Sequence, residues 1–378
     1  MSAKEDAKGR RPGKGKAKWI RILLGVGYWV QGFRCFPWMA VNFFLKDSVK
    51  VDSSTLQILQ NSVNLPMVGK PIYGVVSDAV YISGQHRVPY IAIGAFLQAM
   101  SWLTIVILSQ SNISIVTLSL YLLLSNLGAS VAEVANDAIV AEMGKSENSQ
   151  SASSGPSNVG IRKQLSELSA ALQKPEIAYS IAWFAASYAI IPALTGTMFF
   201  YQTQYLKIDA AVLGISKVFG QVVTLLWGII YNRSLKSVQP RKLIETIQAT
   251  MAVFMISDVL FVKGIYRQMG VPDSIYIVVF SGVLEVLFFF KILPFSILIA
   301  QLCPRGCEGS LMAFVMSAVA LAFIVSGYLG VALASYLGVT GNDFSGLPLS
   351  LLIQAVCTFL PLFSSSWIPD QKSKTRTE

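Results

Sequence analysis

The chain has 378 residues, of which 53% are hydrophobic and only 13% are charged, and its mean hydropathy is +0.57. Soluble globular domains are nearer a quarter charged, so this composition excludes an ordinary soluble protein, and equally a disordered or small disulfide-rich chain. Thirty Lys and Arg residues against twenty Asp and Glu give a net charge of +10, which by itself suggests an acidic partner.

Long apolar runs separated by short polar breaks predict an all-α integral membrane protein with ten spanning helices. Backbone polar groups must be satisfied internally in lipid, which favours helices, and the alternating pattern of a membrane barrel is absent from the sequence. We number the predicted spans 1 to 10 in chain order, and they cover residues 22–43, 56–77, 88–109, 114–141, 178–201, 210–231, 242–263, 274–300, 309–337 and 346–368.

The positions of Lys and Arg predict the orientation in the membrane. With the N-terminus inside, 21 of these residues fall on inner segments, five fall on outer loops and four lie within spans. This bias predicts two cytosolic termini and explains most of the positive charge, without a nucleic-acid partner. Span 1 is expected to be an uncleaved signal anchor, and the absence of transit-peptide features favours the plasma membrane or an endomembrane over the plastid.

An internal repeat organises the chain. Lys50-Val51-Asp52 precedes span 2 and Lys207-Ile208-Asp209 precedes span 6, and Gly74 and Gly228 lie near the far ends of the same spans. The offsets are 157 and 154 residues, which predicts two parallel halves of the kind found in transporters. The second half has six spans and the first has only four, so the first half lacks two helices, with the junction near residues 158–161.

The predicted domains follow from this repeat. They are a basic cytosolic arm, an incomplete first half of four helices, a Ser-rich cytosolic linker, a second half of six helices and a cytosolic tail, at residues 1–21, 22–143, 144–176, 177–368 and 369–378.

A glycine and charge pattern follows span 2. Gly74 and Asp78, with Gly84 and Arg87 in the next short loop, resemble the signature between helices two and three of the major facilitator superfamily. Glycine permits close helix approach there, and the charged pair can lock an inner gate. The alternative interpretation is an ordinary capped loop.

Longer strings resemble the folate–biopterin transporter family of that superfamily, most closely its plant members. They lie along nearly the whole chain, at residues 28–33 (YWVQGF), 44–47 (FLKD), 70–78 (KPIYGVVSD), 136–142 (NDAIVAE), 225–232 (LLWGIIYN) and 302–309 (LCPRGCEG). The resemblance implies a major-facilitator-type two-halved bundle of twelve helices, of which this chain has ten, arranged four plus six. It also implies a secondary-active carrier of folates or pterins.

Ionisable residues inside spans are costly in lipid and therefore mark candidate sites. The leading candidates for binding the substrate or a coupling proton are Arg34, Lys70, Glu133 and Asp137, the last two on one helix face. Cations suit the carboxylates of a folate, and a carboxylate can bind pterin N–H groups or a proton. Weaker candidates are Tyr28, Gln31, Lys217, Asp258, Glu285 and Lys291, because aromatics can face lipid and side chains at span ends can extend to the interface.

Structural alternatives stay open for these residues. Lys70 could simply pair with Asp137 or Asp78, and Trp29, Phe33 and the other aromatics of span 1 could face lipid rather than a pterin ring.

Three functional classes compete at this point. A carrier is favoured; the second is a non-transporting shortened form that is inactive or associates with a full-length carrier. An integral membrane enzyme is the third, but no catalytic constellation, metal site or cofactor motif supports it. Possible partners are therefore a small folate or pterin, protons and the lipid bilayer; the oligomeric state is open.

Overall fold

Every regular element is a helix in the computed structural model, which describes residues 14–82, 87–110, 113–148, 161–302 and 308–369. In that part of the chain six helices are long and apolar enough to cross a membrane, at Val88–Ser109, Ile115–Ile139, Ala210–Leu235, Pro240–Val262, Asp273–Leu302 and Ser310–Tyr336. They correspond to spans 3, 4, 6, 7, 8 and 9. Span 10 is a shorter apolar helix at Leu347–Phe363.

Spans 1, 2, 5 and 8 each consist of separate helical pieces, whereas the hydropathy predicted one continuous helix for each of them. Their helical pieces are Lys14–Phe33 and Cys35–Phe43 in span 1, Ser53–Ser62 and Lys70–Ala79 in span 2, Pro175–Ala189 and Thr195–Phe200 in span 5, and Gly282–Phe290 and Ile292–Leu302 in span 8.

Proline explains three of these breaks. Its ring clashes with the carbonyl four residues earlier and it lacks an N–H, so a helix ends near that position. Pro37 and Pro294 lie four residues after Phe33 and Phe290, the last residues of the interrupted pieces, and Pro192 lies three residues after Ala189. In spans 1 and 8 the residue at the break is a cation, Arg34 or Lys291, placed after a helix C-terminus whose dipole favours positive charge.

Several helices extend beyond the predicted spans. The first helix begins at Lys14, inside the expected arm, and the helix of span 4 continues to Asn148. A further helix, Ile161–Leu172, occupies part of the expected linker, and span 5 begins at Pro175. Leu168 and Ala171 of this extra helix are buried against spans 5 and 9, so apolar packing orders a segment whose composition suggested a linker.

The internal repeat recurs in backbone detail at the same offset. A π-helical turn at Phe44–Ser48 is matched by one at Tyr201–Tyr205, exactly 157 residues later. The left-handed residues Lys50 (φ 59°) and Lys207 (φ 52°) follow them, a rare conformation for lysine. Asp52 and Asp209 then cap the next helices through their side chains. We call this end of the bundle the Asp52 end.

Spans 1–4 form a first helical group and spans 5–10 a second one. Span 2 packs along span 9, which it contacts through both of its helical pieces. Span 6 is the repeat equivalent of span 2, yet most of its apolar side chains are exposed, and a Cβ at Gly228 would have open space around it. The asymmetry follows from the repeat, since span 9 corresponds to a helix that the first group lacks.

Spans 3 and 4 cross at two facing glycines. A Cβ built on Gly128 would lie 2.6 Å from the carbonyl oxygen of Gly94, and a Cβ on Gly94 would clash with the carbonyl oxygen of Gly128. Because backbone meets backbone, no side-chain movement can make room, and glycine is required at both positions.

We expect Gly94→Val to destabilise the folded chain by about 1–3 kcal/mol or more through overpacking at this crossing. The measurement is thermal unfolding of the purified protein in detergent, read by intrinsic fluorescence. Gly25→Val is the matched control, because nothing lies within 4 Å of a Cβ at Gly25. Equal melting temperatures for the two variants would contradict the close approach.

Candidate functional site

Arg34 lies at the proline break of span 1 and reaches span 4. Its Nη2 donates a 2.6 Å hydrogen bond to Oδ1 of Asn126, while its buried Nε has no hydrogen-bond partner in the structure. Asn126 is fully buried, and its Nδ2 donates to the backbone oxygen of Val63 and to Oδ1 of Asn64 in span 2. Asn126 therefore fixes the guanidinium between three spans and leaves part of its donor capacity unused.

Lys70 and Glu133 form an ion pair between spans 2 and 4. The distance from Nζ to Oε2 is 2.6 Å, and the side chains are 12% and 21% exposed. Glu133 also interacts electrostatically with Arg34, so the structure brings together three of the four leading candidates. Glu133 is thus a partner of Lys70 that the sequence did not suggest, while the side chain of Asp78, one of the two suggested partners, lies outside the described residues.

These three residues carry two positive charges and one negative charge. Lys70 opens the second helical piece of span 2, so the 3₁₀ turn at Leu65–Gly69 sets the position of its side chain. Within this trio one positive charge is left for an anionic ligand. Asp137 lies one helical turn beyond Glu133 and is exposed, which places it beside the cluster.

Some predicted residues lie outside the described part of the structure. Gly84, the thiols of Cys303 and Cys307, and the side chains of Tyr28 and Asp78 belong to this set. Of the gating signature the structure describes Gly74, where a Cβ would touch Val134 of span 4 at 3.5 Å, and Arg87, which immediately precedes the helix of span 3.

The charged candidates of the second helical group do not join the first cluster. Lys217 and Glu285 pair with each other between spans 6 and 8 and are 34% and 48% exposed. The carboxylate of Asp258 is buried and accepts a 2.9 Å hydrogen bond from the hydroxyl of Tyr276.

Lys291 does not extend to the membrane interface as a residue near a span end can. It is 0% exposed, and its Nζ donates to Ser187 at 3.0 Å and to Gln248 at 2.6 Å. The same atom lies 3.9 Å from the centre of the Tyr188 ring, a cation–π geometry. Lys291 thus holds spans 5, 7 and 8 together from inside the second group.

The aromatic candidates divide into two sets. Trp29 and Phe33 stack on each other at 5.6 Å and are largely exposed, as the lipid-facing alternative expects. Trp38 packs edge-on against Trp102 at 6.3 Å. Gln31 is half-buried one turn before Arg34. Sequence reasoning missed Asn126, although a lone amide inside an apolar run is itself a signal of an interhelical hydrogen bond.

Comparison with known proteins gives a consistent result. The sequence profile of the BT1 family matches residues 31–159 and 154–378. The chain is 57% identical to "Probable folate-biopterin transporter 7" of Arabidopsis thaliana, over 93% of each chain. It is 38% identical to "Probable folate-biopterin transporter 8, chloroplastic" of the same plant, over 93% of this chain and 76% of the relative.

The fold resembles that of solved transporters. The crystal structure of the nucleoside transporter NupG superposes with a TM-score of 0.60 at 11% identity, over 93% of this chain and 98% of that one. The predicted major-facilitator-type helical fold is thereby confirmed.

The alignment with the first relative has 413 positions. Since 93% of 378 residues is about 352, about 61 of those positions contain no residue of this chain. The two matches to the family profile meet at residues 154–159, beside the predicted junction. About 61 residues suffice for two spans of about 20 residues each with their loops.

We expect Lys70→Met to destabilise the chain by about 1–3 kcal/mol, less than the loss for a fully buried pair, because both partners keep some exposure. Adding Glu133→Gln should restore at least half of the loss, since the unpaired charge is then removed. Thermal unfolding in detergent measures both effects. Lys46→Met is the control, as its partner Asp47 is 57% exposed; a double variant no more stable than Lys70→Met would refute the pairing.

Proposed function

The chain belongs to the BT1 family, and on that premise we propose that it is a secondary-active carrier of folates or pterins that works by alternating access. That it is a multi-pass membrane transporter and not an enzyme follows from the family and its relatives. The names of the relatives supply the substrate class, and the cluster around Arg34 gives that class a chemical reason.

The observation that supports an anionic substrate is the buried guanidinium of Arg34, whose Nε has no hydrogen-bond partner. Lys70 supplies a second cation and pairs with Glu133, and with Asp137 included the charges of spans 1, 2 and 4 balance before a ligand binds. A folate carries carboxylates, which match a guanidinium and an ammonium at this spacing of helices. Tyr28 and Gln31, one to two turns before Arg34, are proposed to contact the pterin.

Proton coupling is proposed through Glu133 and Asp137. A substrate carboxylate that binds Lys70 competes with Glu133 for the ammonium group. A carboxylate that loses its cation in a poorly hydrated site takes up a proton, which links substrate binding to protonation. Lys217, Asp258, Glu285 and Lys291 are proposed as supporting residues of the second group.

The proposed topology places both termini and the loop from Asp78 to Arg87 in the cytosol, so that Gly74, Asp78, Gly84 and Arg87 serve the inner gate. The Asp52 end then faces the opposite side. One relative is named chloroplastic whereas the more similar one carries no compartment in its name. We place this chain in the plasma membrane or an endomembrane.

We propose further that the chain is a shortened form of a twelve-helix carrier, with domains as predicted from the repeat. The second candidate function is a non-transporting form. The observation in its favour is that most apolar side chains of span 6 are exposed. Transport by the chain itself decides between them.

We expect liposomes containing this chain to take up labelled folate or pterin, and Arg34→Gln and Lys70→Gln each to reduce initial uptake at least about tenfold by removing a charge-assisted bond. Lys46→Gln is the control, because Lys46 lies at the Asp52 end, where it pairs with exposed Asp47 and lies over the ring of Phe43. A version with two helices restored at residues 154–159 is assayed alongside. Uptake by the restored version alone would establish the non-transporting alternative.

Across a pH series, the unmodified chain should take up more substrate as the outside becomes more acidic. Glu133→Gln or Asp137→Asn should flatten that dependence, because an amide cannot carry the coupling proton. Glu176→Gln, in the first turn of span 5, is the control. An unchanged pH dependence in both carboxylate variants would exclude proton coupling through these residues.

A further inference from the structure

We propose that Gln57 is a latch that joins the two helical groups at the Asp52 end, and that the transport cycle requires this latch to open. The second clause rests on the proposed function, whereas the first concerns the conformation alone. Gln57 lies in span 2, one turn into the helix capped by Asp52.

The side-chain amide of Gln57 makes three hydrogen bonds, all to backbone groups of the other helical group. Nε2 donates to the carbonyl oxygens of Ala193 at 2.6 Å and Gly327 at 2.7 Å, and Oε1 accepts from the N–H of Gly196 at 2.8 Å. Gln57 is 1% exposed. Two acceptors and one donor surround the amide, so glutamine satisfies a pattern that neither an ionised carboxylate nor an apolar side chain can match.

Two of the three backbone groups that Gln57 binds are free because Pro192 breaks span 5; the third, the carbonyl of Gly327, belongs to the continuous helix of span 9. The carbonyl of Ala193 lies within the break, and Gly196 is the second residue of the helix that restarts at Thr195, where N–H groups have no intrahelical partner. Span 9 satisfies others, because Ser326 Oγ donates to Ile191 and the Ser326 carbonyl accepts from Ala193. Without Gln57, the carbonyl of Ala193 and the N–H of Gly196 would lie unpaired inside the membrane region.

Glycines make the approach possible. A Cβ on Gly196 would lie 2.8 Å from both the Cβ of Gln57 and the carbonyl oxygen of Ser53, and a Cβ on Gly330 would collide with the carbonyl of Ala193. The backbones of spans 2, 5 and 9 therefore approach one another closely around the side-chain amide of Gln57. When the groups separate at this end, that amide and its three partners are released together.

A second glutamine on the same helix behaves differently. Gln60, one turn further, donates to Asn42 of span 1 and so stays within the first group. It offers a matched control: the same residue type on the same helix, with a hydrogen bond that does not cross between the groups.

The test measures the access of a thiol reagent next to the latch. Thr197→Cys, 3% exposed in the unmodified chain, is introduced after Cys35, Cys303, Cys307 and Cys357 are replaced by serine. The protein is placed in lipid nanodiscs, where a membrane-impermeant maleimide reaches both faces. We expect Gln57→Leu to raise the labelling rate at least about tenfold, since three hydrogen bonds that hold the closed form are lost together.

Gln57→Glu gives a second, graded readout. Ionised, the carboxylate faces two carbonyl oxygens and labelling should be fast; protonated at low pH, it regains one donor and labelling should slow at least about threefold. Gln60→Leu should stay within about twofold of the unmodified rate. The proposal is overturned if Gln57→Leu, still monodisperse, labels no faster than Gln60→Leu, or if the Gln57→Glu rate is independent of pH once corrected for the reagent.

Labelling requires no substrate, so it separates this proposal from the proposed function. Fast labelling of Gln57→Leu in a chain that transports nothing would support the latch and refute the carrier. Uptake by the unmodified chain with unaltered labelling would do the reverse.

Discussion

The membrane gives backbone N–H and C=O groups no water to bind, and the structure of this chain depends on how it meets that constraint where helices break. Pro37, Pro192 and Pro294 interrupt spans 1, 5 and 8, and polar side chains gather at each interruption. Arg34 and Lys291 stand at two breaks, and Gln57 reaches across from another span to the third. The polar contacts at these three breaks therefore follow from the prolines that cause the breaks.

The two helical groups use their buried charges differently. In the first, Arg34, Lys70 and Glu133 come from three spans and meet where those spans converge. In the second, Lys291 is enclosed by Ser187, Gln248 and Tyr188 and links helices of its own group. A lysine inside a span can thus pair with a carboxylate of another helix, as Lys70 does, or be enclosed by uncharged groups of a core, as Lys291 is, and only its surroundings distinguish the two.

The sequence predicted the spans, the repeat and three members of the cluster, because hydropathy, offsets and isolated charges are local signals. It could not predict that Lys70 pairs with Glu133, since that choice depends on the rotation of span 4 against the 3₁₀ turn before Lys70. Gln57 and Asn126 were missed because an uncharged amide lacks the charge that marks a residue inside a span as a candidate site. The helix at Ile161–Leu172 was missed because its order comes from packing against spans 5 and 9.

The uneven helix count also has a mechanical meaning. Span 2 runs along span 9 and supplies most of the contact between the groups, including the bond from Ser317 Oγ to the carbonyl of Val68 far from Gln57 and the 2.8 Å bond between the hydroxyls of Ser62 and Tyr328. In the described part of the chain, span 6 on the other side makes much less contact with the first group, and most of its apolar side chains are exposed. Two groups joined mainly along one side can rock on that side, so that the bonds of Gln57 at one end open while the bond from Ser317 to Val68 at the other end is kept.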